Sequence, residues 1–274
     1  MYRAYNLAPA TKPPWTDAQL LKDGTALFDE QQRAAKAALS IHLGPESRVS
    51  GTLMQQEWFP TIDAHIFLSH SHKNVDDVKM LAAWLKREFN IIAFIDSAAW
   101  GHAKDLLAAI DRHHCYDKTN NVYDYHARNG TTSHVHAMLT AALTTMIDRT
   151  ECLFFINTPE SLSAESAAHF GKGSGTHSPW IYLELSIAST VRQMAKEKHR
   201  EMAKTASASD RRTIAERFNP AYDVTPHVAR LTQLPPDLLS AWQAQHKLAE
   251  ERSILSAGAH EALDLLYRLT DRRD

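Results

Sequence analysis

The spacing of apolar positions divides the chain into three stretches. Between residues 63 and 195, short uninterrupted apolar runs alternate with stripes of helical period. Residues 64–68 read as a buried strand. A helix is expected over 76–89, with Val78, Leu81, Ala82, Leu85 and Phe89 on one stripe. Residues 91–95, "IIAFI", read as a second strand. Strand, helix and strand within about thirty residues form a βαβ unit, so the two strands should run parallel. A helix over 103–114 follows, with Leu106, Leu107 and Ile110 inward, then a polar, turn-rich insertion at 116–132. Residues 133–148 read as a helix and 151–157, "ECLFFIN", as a third strand. The next helix begins at Ser178, a good cap followed by Pro179, and runs to at least Met194.

The flanks read differently. Residues 1–62 have the pattern of a helical extension. Thr16 would cap a short helix carrying Leu20 and Leu21. A longer helix over 25–43 would turn Leu27, Phe28, Ala35, Ala38 and Leu39 inward and stop at Gly44-Pro45. Trp58 and Phe59 would seat this extension on the main domain. Residues 196–219 read as a charged helix and 221–224 as a weak fourth strand. From Pro235 the pattern is helical, with Leu238, Leu239, Trp242, Leu255, Leu263, Leu266 and Leu269 inward. No run reads as a fifth strand. The expected organisation is 1–62 as extension, 63–195 as main domain, and 196–274 as sheet edge and helices on that domain. The class is α/β, an open and mostly parallel sheet with helices on both faces. Ligands of such sheets gather beyond the carboxyl ends of the strands. That rule selects 69–73, 96–101 and 158–161.

Composition narrows the function. A net charge of −2 over 274 residues gives no polyanion-binding surface, so no nucleic-acid partner is expected. The two cysteines, Cys115 and Cys152, form no C-x-x-C, which argues against a disulfide framework or a cysteine-rich zinc site and suits a reducing cytoplasm. No apolar run approaches the length of a membrane span.

Two stretches carry candidate chemistry. The first is "FLSHSHKN", 67–74. Metallo-β-lactamase-like hydrolases place H-x-H-x-D-H after a strand, but here His70 and His72 are followed by Asn74 and Val75, so the aspartate and third histidine are missing. His113 and His114 are adjacent, and His134 and His136 on a helix point about 200° apart, so neither pair grips one ion. No metal is expected. Alternatively, Ser69, His70 and Ser71 lie where a strand yields to a helix, and backbone N–H groups there favour an anion such as a pyrophosphate. They could equally be ordinary turn and capping residues. The glycine-rich dinucleotide fingerprint is absent, which argues against hydride transfer.

The second stretch is "SPWIYLELSIAS", 178–189. Glu184 is the one charge between Lys172 and Arg192. Its helical neighbours Trp180, Ile181, Ile187 and Ala188 include no cation, so no local ion pair accounts for it. It is either a rim residue reaching water or a poised functional group.

Taken together, "DAHIFLSHSHKN", "FIDSAAWG", "CLFFINTPES" and "SPWIYLEL" resemble, in order, the motifs of the TIR (Toll/interleukin-1 receptor-like) domain family over residues 63–195. The last resembles its S-x-W-x-x-x-E-L helix. Within the family the chain looks most like bacterial antiviral Thoeris-type TIR proteins. The resemblance implies a flavodoxin-like sheet and cleavage of NAD as substrate, with no further cofactor. It implies an ADP-ribose-derived signal, cyclic or conjugated, read by a separate effector protein, together with self-association. Glu184 falls on the catalytic glutamate. Ser69 and His70 would line the nucleotide at the first strand end, and Asp96 and Ser97 at the second. Trp100 or Trp180 would flank the sugar or the nicotinamide, although either could be a core residue. The alternative within the same family is a TIR interaction module without chemistry. The long flanks and the 116–132 insertion depart from the family pattern.

Overall fold

The computed structural model describes residues 1–8, 13–36, 55, 59, 61–98, 107–163, 175–191, 193–202, 222–251 and 258–271. The expected helix beyond residue 36, Gly44-Pro45, Trp58, Trp100, Leu255 and the 203–221 stretch lie outside these residues.

Five parallel strands form the main sheet: β1 (Arg3–Leu7), β2 (Ile66–Ser69), β3 (Ala93–Ile95), and two labelled below as β6 and β9. Helix α1 (Ala18–Lys36) follows β1, and α2 (Val75–Phe89) joins β2 to β3. A π-helical turn at Asp111–Cys115 leads into a hairpin, β4 (Tyr116–Asp117) with β5 (Val122–Tyr123), and then α3 (Tyr125–Arg149). After β6 (Cys152–Ile156) come β7 (Gly175–Thr176), α4 (Pro179–Thr190), α5 (Lys196–Met202), β8 (Tyr222–Asp223) and α6 (Thr225–Val228). The chain ends with β9 (Thr232–Leu234), α7 (Pro236–Glu251) and α8 (Ala259–Asp271).

The sheet order is β3-β2-β6-β1-β9. Counted from β2, this is the flavodoxin-like order 2-1-3-4-5, with the fourth place filled by the strand at the start of the chain. Arg3–Leu7 is therefore an inner strand, where a helical extension was expected. It pairs with β6 from Arg3↔Cys152 to Leu7↔Ile156 and with β9 from Tyr5↔Thr232 to Leu7↔Leu234. The polar Arg3 and Asn6 hide it from a search for apolar runs. The residues expected to form a weak fourth strand pair instead as β8 with β7, antiparallel and off the main sheet, and β9 is the fifth strand.

Alternation along each strand sends side chains to two cores. Tyr5, Leu7, Leu68, Ile95 and Phe154 meet α1, α2, α7 and α8 on one face. Phe67, Phe94, Leu153 and Phe155 meet α3 and α4 on the other. Every residue of β2 and β6 is buried, as expected of a parallel sheet covered on both faces. The expected α2 stripe, Val78, Leu81, Ala82, Leu85 and Phe89, is buried, and Phe89 stacks on Trp242 of α7 with centroids 3.8 Å apart. Asn90, at φ 52°, closes α2 in the left-handed conformation.

Helix α1 is one element where two were expected. Gly24 causes no break, because α1 lies so close to α2 there that a Cβ would sit 2.0 Å from the Lys79 carbonyl oxygen. The 116–132 insertion resolves into the β4–β5 hairpin and the first turns of α3, which Asp124 caps through Ala127 N–H at 2.8 Å. Helix α4 stops at Thr190, short of the expected Met194. None of the described helices is long and apolar enough to cross a membrane.

If β1 is integral, Leu7→Ala should cost about 2–5 kcal/mol in denaturant-induced unfolding, the usual range for a buried leucine. A loss within about 0.5 kcal/mol would mark residues 3–7 as a dispensable attachment.

Candidate active site

The carboxyl ends of β2 and β3 carry four of the seven residues nominated from sequence, and α4 brings a fifth, Glu184, to them. Ser69 ends β2 and shares a face with Phe67, the face against which α4 packs. Its hydroxyl donates to Glu184 Oε2 at 2.6 Å across 115 residues of sequence. Ser69 and Glu184 are both 0% exposed. Glu184 is therefore a buried carboxylate at the strand ends rather than a rim residue in water. A hydrogen bond to a carboxylate is worth about 1.5–3 kcal/mol, enough to hold Oε2 in one orientation.

His70 begins a second cluster. Its Nδ1 lies 2.7 Å from Asp96 Oδ1 and 3.2 Å from the Leu68 carbonyl oxygen, while Nε2 lies 3.0 Å from Ser97 Oγ. The same Asp96 oxygen accepts the Ser97 backbone N–H at 2.5 Å. All three side chains are buried. Burial alone would push the His70 imidazole down. The charge and hydrogen bond of Asp96 outweigh it, so the net shift is upward. A protonated ring donates from Nδ1 to Asp96 and from Nε2 to Ser97. Ser97 Oγ then accepts from the ring, and its own proton is left to be offered elsewhere.

Adjacent residues of β2 thus hold the two clusters, Ser69 facing α4 and His70 facing the segment after β3. The neighbouring strand end adds a clamp. Thr158 Oγ1 donates to Asn74 Oδ1 at 2.7 Å, Ser161 N–H donates to Thr158 Oγ1 at 3.3 Å, and Ser161 Oγ donates to the Ile156 carbonyl at 2.9 Å. This ties the loop after β6 to the residue before α2. The sequence pattern assigns Asn74 no role. Only the adjacency of β2 and β6 reveals it, because in sequence Asn74 stands 84 residues from Thr158.

Trp180 lies one turn before Glu184, half-buried. Its ring meets His136 of α3 edge-on at 5.6 Å and 87°, a contact between the helices. Trp100 lies outside the described residues. His72 is exposed in a 3-10 turn and His70 is engaged by Asp96, so the two do not converge on one ion.

The arrangement offers an oriented carboxylate beside a serine hydroxyl and, next to it, an imidazole–carboxylate pair that polarises a second hydroxyl. Both sit at the strand ends where β2 and β6 diverge in their connections, the switch point at which open α/β sheets bind ligands. Comparison with protein-family models, curated proteins and solved structures finds no match.

The raised His70 pKa fixes a pH dependence. The stabilisation from the Asp96 pair is complete below about pH 6.5, the ordinary histidine value, and is lost as pH rises through the folded value. In Asp96→Asn only the Leu68 carbonyl still opposes burial, so His70 loses the main cause of its upward shift. Stability measured by urea unfolding across pH should show a wild-type advantage that is largest in acid and shrinks as pH rises. Near neutrality the variant should be about 1–3 kcal/mol less stable. A pH-independent difference would remove the charge pair from the account.

Proposed function

We propose that the protein is an NAD-consuming enzyme of the TIR type, which cleaves the nicotinamide–ribose bond with Glu184 as its catalytic carboxylate. The observation that carries this reading is the meeting of Glu184 and Ser69 at the carboxyl edge of the sheet, beside His70 and Asp96. Four motifs resembling one family converge on that edge in three dimensions. The flavodoxin-like strand order is the one the resemblance implies.

The chemistry follows from the bond to be broken. The nicotinamide ring nitrogen is already cationic in NAD and leaves neutral with the electron pair of the broken bond, so departure requires no strong general acid. Positive charge builds on the ribose, and one carboxylate held against it stabilises the oxocarbenium-like transition state. Glu184 takes that role, with Ser69 fixing the direction of its oxygen. Ser97, whose Oγ accepts from a protonated His70, keeps its own proton to offer to the ribose or phosphate oxygens of the nucleotide. Trp180, edge-on to His136, acts as packing between α3 and α4, leaving the ring-flanking role to Trp100. Glu184 is enclosed in this conformation, so substrate entry requires the carboxyl edge to open. The water-excluded site that results would favour an internal or a second nucleophile over hydrolysis, and hence a cyclic or conjugated ADP-ribose product. In the cytoplasm such a product serves as a signal for a separate effector in antiviral defence.

A second reading, an interaction module of the same family, needs no buried carboxylate at the switch point and is disfavoured for that reason.

The deciding experiment incubates the purified full chain with NAD and follows nicotinamide release by mass spectrometry. Glu184→Gln should lower the rate at least about a hundredfold, the scale of a lost transition-state charge partner. Ser69→Ala keeps the carboxylate but not its orientation and should cost about ten- to a hundredfold, mainly in kcat. Equal rates in parent and Glu184→Gln would sink the assignment.

A further inference from the structure

A cavity of about 290 Å³ opens near the amino ends of β1 and β9, away from the edge that carries Ser69. That is close to the lower end of the range for small-molecule sites, about 300–1,000 Å³. Its floor is apolar, built from Ala4 of β1, Ala188 and Val191 at the end of α4, and Leu231 before β9.

Its wall is polar and cationic. Arg230 lines the cavity, is exposed, and donates from Nη1 to the Ser189 carbonyl oxygen at 3.3 Å. Among the described residues no carboxylate pairs with this guanidinium. His227 adjoins it. The imidazole Nδ1 lies 2.9 Å from Ser189 Oγ, and Nε2 lies 3.3 Å from Ser186 Oγ. Both serine protons are already committed to the backbone of α4. Ser189 donates to the Ser186 carbonyl at 2.8 Å and Ser186 to the Tyr182 carbonyl at 2.7 Å. The ring thus adds a polar surface beside Arg230 on the same wall.

We propose that this cavity binds a small organic carboxylate, its charged group on Arg230 and its apolar body on the floor formed by Ala4, Ala188, Val191 and Leu231. The planar guanidinium fork matches a carboxylate in shape and charge. The apolar floor distinguishes such a ligand from a bare inorganic anion, which would leave that surface uncovered. Ala188 lies one helical turn beyond Glu184 on α4, so the two sites share a helix while lying at opposite edges of the sheet. The cavity argument is independent of the NAD reading.

Isothermal titration of the full chain near neutral pH tests it with three probes: benzoate, benzamide and inorganic phosphate. Benzoate should bind at least about tenfold more tightly than either of the others, the scale of one charge-assisted contact. Arg230→Gln, a change at an exposed position that should leave thermal unfolding unaltered, should bring benzoate down to the level of benzamide. Ala188→Leu fills the floor and should abolish benzoate binding. If that variant does not fold, Arg230→Gln alone decides. Benzoate no tighter than benzamide, phosphate as tight as benzoate, or unchanged benzoate binding in Arg230→Gln would each overturn the proposal.

Discussion

Strand β1 is hydrogen-bonded along both edges, to β6 on one side and β9 on the other, and the rest of the sheet depends on that double pairing. Without it the β3-β2-β6 half and β9 have no shared backbone ladder. Parallel strands cannot be joined by short hairpins, so each partner of β1 arrives by a long crossover. The helices that make those crossovers cover the two faces. Tyr5 and Leu7 enter the core under α7 and α8, and Ala4 enters the core under α4. A five-residue strand thereby couples both cores.

The candidate active site uses the same geometry at the other strands. In β2 the alternation that buries Phe67 and Leu68 on opposite faces puts Ser69 beneath α4 and leaves His70 at the edge, within reach of the segment after β3. No side chain has to adopt an unusual position for Glu184, Ser69, His70 and Asp96 to share one edge of the sheet. They converge because α4 covers the face toward which Ser69 points, while β3 pairs alongside β2 and brings Asp96 beside His70. The ionic network at the opposite edge has a different character. Glu151 is held by both ends of the Arg200 guanidinium and by Tyr267, and Arg200 also reaches Asp264. Those groups consume one another's charge and tie α5 and α8 to β6, a structural role.

The βαβ unit and the third strand were legible because their residues form apolar runs, of which "IFL", "AFI" and "CLFFI" are buried from end to end. The position of Glu184 was legible for the opposite reason, as a charge isolated among apolar neighbours. What the pattern hid was β1 and β9. "RAYNL" carries Arg3 and Asn6, whose guanidinium and amide nitrogen are met by Asp271 and Gln233, partners far away in the sequence. "TQL" is too short to show any period. A strand that gains its stability from non-local pairing has no local signature to betray it. The division of α1 into two expected helices misleads in the same way: the close approach of Lys79 explains why a glycine stands at position 24 inside one helix. The cavity near Arg230 was equally invisible, since it is assembled from residues of β1, α4 and the stretch before β9.

Placing the earliest strand in the interior of the sheet has a consequence for how the chain is made. On the ribosome β1 emerges long before either neighbour, since its partners begin at Cys152 and Thr232. Until then its backbone donors and acceptors face solvent or a chaperone, as an unguarded edge. Closure must await residues 232–234. The fold is thus committed to late, high-contact-order assembly, and its slowest step should be the insertion of this waiting segment between two strands that meet only around it.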